Sequence, residues 1–253
     1  MRVNDAVLRT HLESFARKTP SRTEADVQFA IAAYLTISEI GLAESQVSKV
    51  EEQLRDGTQR RIDISYGSIV IEVKKDLTAN KVFEASKIQL EGYLLARREK
   101  EGKSYSGIIT DGMDWRLFYL GADSIEEVDS IRVDADSDKA ISKLNRWMQT
   151  ILLTGERLKV TPERIVEKLG ADSPRFKLAK AQLRDLYEQA ENKEELLTKR
   201  GLWARLLRTA LGTSFEDSLD LFIDHTLLVI EAEIIAHLVL GIKPNEHPPE
   251  EVI

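Results

Sequence analysis

The stretch Arg60-Arg61-Ile62-Asp63-Ile64-Ser65-Tyr66-Gly67-Ser68-Ile69-Val70-Ile71-Glu72-Val73-Lys74-Lys75 decides the reading of this chain. Its β-branched runs on either side of Tyr66-Gly67 predict two strands, 60–65 and 68–74, joined by a two-residue hairpin turn. Strand side chains alternate between faces, and directly opposed residues share a face. With Tyr66 and Gly67 in the loop, Ser65 is expected opposite Ser68 and Asp63 opposite Val70. One face then carries Ile62, Ile64, Ile69, Ile71 and Val73, and the other carries Asp63, Glu72 and Lys74. A one-residue change in loop length would reverse that parity.

Around the hairpin, helical and strand patterns alternate. Ser21 and Glu24 have capping-box spacing, so a helix is expected from about Ser21. It would bury Val27, Ile31, Tyr34 and Leu35 and stop at Gly41. Residues 46–54 read as a strand. A second helix is expected over 79–100, carrying Val82, Phe83, Ile88, Leu90, Tyr93, Leu94 and Leu95. Strands 106–110 and 115–120 follow around the turn Asp111-Gly112-Met113-Asp114. The predicted class is α/β, a mixed sheet flanked by helices.

Beyond Gly121 the texture changes. Residues 121–138 are rich in acids and read as a solvated connector. Only helices are predicted after Lys139, one starting at Thr161-Pro162-Glu163 and ending at Gly170, another opening at Pro174. The expected division is therefore 1–137 and 138–253. The apolar run 219–240 holds Asp220, Asp224, His225, Glu231, Glu233 and His237, too many polar groups for a membrane span, so a buried helix is expected.

Composition narrows the chemistry. The 253 residues include 42% hydrophobic and 31% charged residues, ordinary for a globular chain. The absence of cysteine excludes a disulfide scaffold, a thiolate nucleophile and any cysteine-ligated metal. No signal peptide is indicated at the start, and a cytoplasmic setting is expected. The net charge is −7, yet residues 55–103 hold eleven basic residues against eight acids, a local +3 suited to phosphate-backbone contact.

Two carboxylates and a lysine converging on one strand face meet the needs of metal-assisted phosphodiester hydrolysis. Magnesium prefers hard oxygen ligands, and a bound cation polarises a phosphoryl oxygen and acidifies water. A neighbouring ammonium stabilises charge developing on the phosphate. Asp63 followed by Glu72-Val73-Lys74, within this order of elements, resembles the PD-(D/E)xK nuclease superfamily. That resemblance implies a restriction-endonuclease-like core and a Mg2+-dependent DNA endonuclease, with Mn2+ able to substitute. Asp63 and Glu72 match its metal ligands, with the Val73 carbonyl as a further one, and Lys74 matches its catalytic lysine. Glu24 matches an acidic residue carried on the first helix, and Gln89 with Tyr93 matches a Gln-x-x-x-Tyr pattern. Arg61-Ile62 stands where a proline might precede the aspartate.

The segments Ile108-Ile109-Thr110-Asp111-Gly112 and Trp115-Arg116-Leu117-Phe118 are similar to those of restriction enzymes that fuse nuclease and adenine methyltransferase. Leu202-Trp203 and Leu221–Leu228 resemble the helical spacer of the same enzymes. The resemblance implies a bacterial or archaeal restriction–modification or defence enzyme acting on double-stranded DNA, dimeric if both strands are cut. It also implies a longer chain with methyltransferase and target-recognition domains. No Asn-Pro-Pro-Tyr or Asp-Pro-Pro-Tyr motif and no suitable glycine-rich loop occurs, so S-adenosylmethionine would belong only to such a downstream domain.

Blander readings stand beside these. Asp63, Glu72 and Lys74 could be cross-strand charge pairs, Glu24 the capping partner of Ser21, and Gln89 a polar helix position. Tyr93, Trp115, Trp203, His225 and His237 read as packing residues, and Lys75 as solvated. The alternatives for the whole chain are an inactive nuclease fold used for DNA binding or docking, and a stand-alone repair or resolvase-type nuclease.

Overall fold

The computed structural model describes residues 5–38, 40, 64–102, 105–122, 124–152, 162–212 and 215–239. Asp63, the predicted strand 46–54, Gly41 and Thr161 lie outside them. The chain divides into two compact units, Met1–Leu178 and Ala179–Ile253.

The first unit opens with a helix that the sequence reading did not anticipate, α1 (Asp5–Ala16). Leu8, Leu12, Phe15 and Ala16 form one helical stripe and are buried. Helix α2 runs Glu24–Ile37. Its capping box is Thr23 with Asp26, not the expected Ser21 with Glu24. Asp26 N–H donates to Thr23 Oγ1 at 3.2 Å, and Thr23 N–H donates to Asp26 Oδ2 at 2.7 Å. Both pairs have the required spacing, but a turn closed by Arg22 N–H on Thr19 O occupies Pro20-Ser21, which starts the helix two residues later. Glu24 is thereby released from capping. The helix ends at Ser38, whose N–H reaches Tyr34 O, rather than at Gly41.

Strands β1 (Ile64–Tyr66) and β2 (Ile69–Val73) form the hairpin. The observed pairs are Tyr66 with Ile69, Ser65 with Val70 and Ile64 with Ile71, so Gly67-Ser68 is the loop instead of Tyr66-Gly67. Tight hairpin turns need positive φ at the first loop position, and Gly67 supplies it at +54°. Both versions have two loop residues, so the parity survives, and Ile64 and Ile71 still share a face.

Helix α3 (Asn80–Glu101) carries the chain across to β3 (Ser106–Thr110), which pairs with β2 in parallel. Strand β4 (Asp114–Leu120) returns antiparallel. The acidic segment read as a connector contains a further strand, β5 (Ile125–Arg132), paired with β4 from Leu120–Ile125 to Asp114–Arg132. An edge strand needs few apolar residues, and charged side chains there discourage further pairing, which explains its loop-like composition. The sheet order is β1-β2-β3-β4-β5.

Both faces of this sheet are covered. Ile64, Ile69, Ile71, Val73, Ile108, Trp115 and Leu117 pack with residues of α1, α2 and α4 (Ala140–Leu152). Val70, Ile109, Phe118 and Leu120 pack with Leu90, Tyr93 and Leu94 of α3. Helix α4, expected in the helical half, thus builds the core of the α/β unit. Its Leu144, Trp147, Met148 and Ile151 are buried, and Asn145 Oδ1 accepts from Tyr34 Oη at 2.9 Å. Helix α5 (Pro162–Leu169) follows, and α6 (Pro174–Ala190) begins at the expected proline.

The second unit comprises the remainder of α6 with α7 (Glu194–Leu211) and α8 (Leu219–Val239). Trp203 meets Phe215, Phe222 and His225 edge-on or tilted, and Tyr187 meets Phe222. The expectation that α8 is buried needs correction. Phe222, Ile223 and Leu227 are buried, whereas Leu221, Leu228, Val229, Ile234 and Ile235 are exposed. Its apolar residues are spread round the helix among charged ones rather than gathered on one face, and one stripe is covered. No helix among the described residues is long and apolar enough to cross a membrane.

Candidate active site

Four of the residues singled out from sequence meet at the carboxyl end of β2. Glu72 lies within the strand, on the face alternating with Ile71 and Val73, and is 0% exposed beneath α3. Lys74 follows two residues later; its amide continues the ladder by donating to Thr110 O at 2.8 Å. Its side chain emerges on the face of Glu72, because positions two apart on a strand point the same way. Lys74 Nζ donates to Glu72 Oε1 at 2.5 Å.

Two helices complete the cluster. Glu24, in the first turn of α2, brings Oε1 to 3.7 Å from Lys74 Nζ. Gln89, in the middle of α3, accepts from Lys74 Nζ at 3.4 Å through Oε1. Its Nε2 donates to Tyr93 Oη at 2.9 Å. The Gln-x-x-x-Tyr spacing puts both side chains on one helical face, and Tyr93 is both a core residue and the group that turns Gln89. Val73 is buried on the opposite face. Lys75 is exposed and donates to Pro20 O at 3.2 Å.

The electrostatics follow from burial. An ion pair held where one partner is fully buried has little water to screen it, so Glu72 and Lys74 depend on each other. Glu24 is about half exposed and adds a second negative charge on the solvent side of Lys74. The group therefore offers one ammonium and two carboxylates of different accessibility.

Hard oxygen donors of this kind suit magnesium or manganese. Glu72, Glu24 and the Val73 carbonyl have the right chemistry, and Asp63, the remaining expected ligand, lies outside the described residues. Among the described residues, no group of three or more histidines and carboxylates is close enough to hold a metal.

Three residues behind the cluster were not singled out as site residues from the sequence, although Asp111 was placed in a turn. Arg22 donates to Phe15 O, Arg17 O, Lys75 O and Asp111 O. Lys18 Nζ lies 2.6 Å from Asp76 Oδ1 and 2.8 Å from Asp111 Oδ2. Asp111, fully buried, also accepts from Leu77 N–H at 3.0 Å and from Met113 and Asp114 N–H. The hydrogen bond from Lys18, with further ones from Thr78, holds the Asp76 carboxyl well below the usual carboxylate range. For Asp111, burial pushes upward, but the hydrogen bonds from Lys18 and the main chain prevail and lower it. Lys18 is raised: its two carboxylate partners outweigh the opposing effect of burial. Periodicity marks none of these residues, because Lys18 and Arg22 lie in an interhelical link and Asp111 in a turn.

Comparison of this chain with family models, curated proteins and solved structures finds no match.

Proposed function

We propose that the first unit is a metal-dependent DNA endonuclease built on a PD-(D/E)xK core. The observation that carries this reading is the convergence of Glu24, Glu72, Lys74 and Gln89, drawn from two helices and a strand, around one ammonium group. The ammonium is suited to stabilising charge on a phosphoryl oxygen, and Gln89, turned by Tyr93, to orienting it. Glu72, Asp63 and the Val73 carbonyl would hold Mg2+ or Mn2+, which supplies polarisation of the phosphate and a more acidic bound water. Double-stranded DNA is the proposed substrate. The proposed setting is a bacterial or archaeal restriction–modification or related defence enzyme whose methyltransferase and recognition domains belong to a longer chain.

The test is cleavage of plasmid and linear DNA by the purified chain with Mg2+ or Mn2+, alongside Lys74→Met and Glu72→Gln. Loss of about a hundredfold or more in each variant is expected while circular dichroism still reports a folded chain. Cleavage at the wild-type rate by either variant overturns the assignment. The deep burial of Glu72 against Lys74 favours one second reading, a nuclease fold retained for docking or DNA binding. Calorimetric titration with Mn2+ separates the two: binding that disappears in Asp63→Ala favours the enzyme, and a chain that binds DNA without metal or cleavage favours the module.

A further inference from the structure

The start of α2 and the exit of β2 carry the two outer charges of the cluster, Glu24 and Lys74, yet they are separated by some fifty residues of chain. Arg22 spans them. It stands two residues before Glu24, and its Nη2 donates to the carbonyl of Lys75, the residue after Lys74. The same nitrogen donates to Asp111 O at 3.1 Å, and Nη1 donates to Phe15 O and to Arg17 O at 3.2 Å. Arg22 is 6% exposed, so these bonds form out of water.

The partners are all main-chain carbonyls, and they come from the end of α1, the link after it, the exit of β2 and the β3–β4 turn. A planar guanidinium can serve divergent acceptors at once, whereas an ammonium is a point donor. The rest of the β2 exit is tied to the same frame: Lys18 reaches Asp76, and Asp111 takes the Leu77 amide.

We propose that Arg22 is a positioning residue, whose guanidinium clamps the start of α2 to the exit of β2 and so sets the separation of the Glu24 carboxylate from the Lys74 ammonium. The clamp deepens the proposed nuclease site and rests on that reading for its catalytic consequence. Its mechanical part stands on the hydrogen bonds alone. Displacement of a catalytic group by as little as 1 Å can cost about a hundredfold in rate.

The experiment uses the full chain with Arg22→Lys, and Arg22→Gln as a second variant that retains a planar donor. Hydrogen exchange is followed at the amides of Lys74, Leu77 and Thr78, with Ile108 and Leu117 of the central strands as the internal reference. Single-turnover DNA cleavage and DNA affinity are measured in parallel, with and without Glu24→Gln. Expected are exchange about tenfold or more faster at 74–78 with the reference amides unchanged, and cleavage slower by about a hundredfold with DNA affinity retained. Adding Glu24→Gln to Arg22→Lys should then cost little more, because both changes remove the same placement. Unchanged exchange at 74–78, or a loss of protection that is equal everywhere in both variants, overturns the clamp. Undiminished cleavage, or additive effects of the two substitutions, overturns its catalytic consequence. A wild-type chain that cuts no DNA instead counts against the nuclease reading, and the exchange comparison still decides whether Arg22 holds the two segments together.

Discussion

Lys74 Nζ lies 2.5 Å from Glu72 Oε1, and the two residues stand two apart along one strand so that both side chains leave on the same face. Glu72 is completely buried and Lys74 mostly so. Removing the lysine takes an ammonium away from a fully buried carboxylate, whereas removing the carboxylate leaves a partly exposed ammonium that retains Gln89 and Glu24. Lys74→Met is therefore expected to destabilise the first unit by about 3 kcal/mol, and Glu72→Gln by less. Urea denaturation of both variants measures the difference; equal stabilities would contradict the asymmetry.

Glu24 should behave differently. It does not cap α2, since Thr23 and Asp26 do, and its carboxylate is half exposed. Glu24→Gln is expected to change stability by no more than about 0.5 kcal/mol while lowering cleavage markedly. Asp26→Ala, which breaks the box, should lower stability more than Glu24→Gln does. Reversal of this order in thermal denaturation would restore Glu24 to a capping role.

Two glycines with positive φ separate conformational cost from crowding. At Gly67, φ is +54° and a Cβ would meet nothing within 4 Å. At Gly112, φ is +86° and a Cβ would stand 2.1 Å from Phe15 O. Gly67→Ala is expected to cost about 1 kcal/mol, and Gly112→Ala at least about 3 kcal/mol because backbone must move as well. Similar denaturation midpoints for the two variants would show that the β3–β4 turn does not press on the end of α1.

The Lys18, Asp76 and Asp111 group predicts acid sensitivity. Both carboxyls are held below their ordinary values, Asp76 chiefly by the Lys18 hydrogen bond and Asp111 by Lys18 and main-chain donors against the effect of burial. Their stabilisation is complete above the unfolded carboxylate pKa of about 3.9 and is lost as pH falls through the lower folded values. Stability should therefore decline from about pH 5 downward, and Asp76→Asn should flatten that decline. Lys18 is raised, so its contribution holds below its unfolded pKa and disappears as pH rises through the folded one. Denaturation midpoints between pH 2 and 6 provide the check; an unchanged slope in Asp76→Asn would remove this cluster as the cause.

Much of the first unit was legible without coordinates. The β-branched runs about Gly67 and the helical spacing of Val27, Ile31, Tyr34 and Leu35 report local periodicity, which is a property of the chain itself. The pairing of Glu72 with Lys74, and of Gln89 with Tyr93, follows from the two-residue strand repeat and the four-residue helix repeat. Residues 125–132 misled because edge strands tolerate charge, and α8 misled because an apolar run does not say how much of it finds a partner.

What the sequence alone determined is thus the identity of the residues able to do chemistry and which of their neighbours share a face. The tertiary structure decided the rest. It placed Glu24 beside Lys74 by capping α2 at Thr23, covered Glu72 with α3, and joined α1, β2 and the β3–β4 turn through Arg22 and Asp111. Periodicity constrains positions within one element, whereas these relationships arise between elements remote in the chain. Their distances depend on how helices and sheet pack, and on which buried polar groups must satisfy one another out of water.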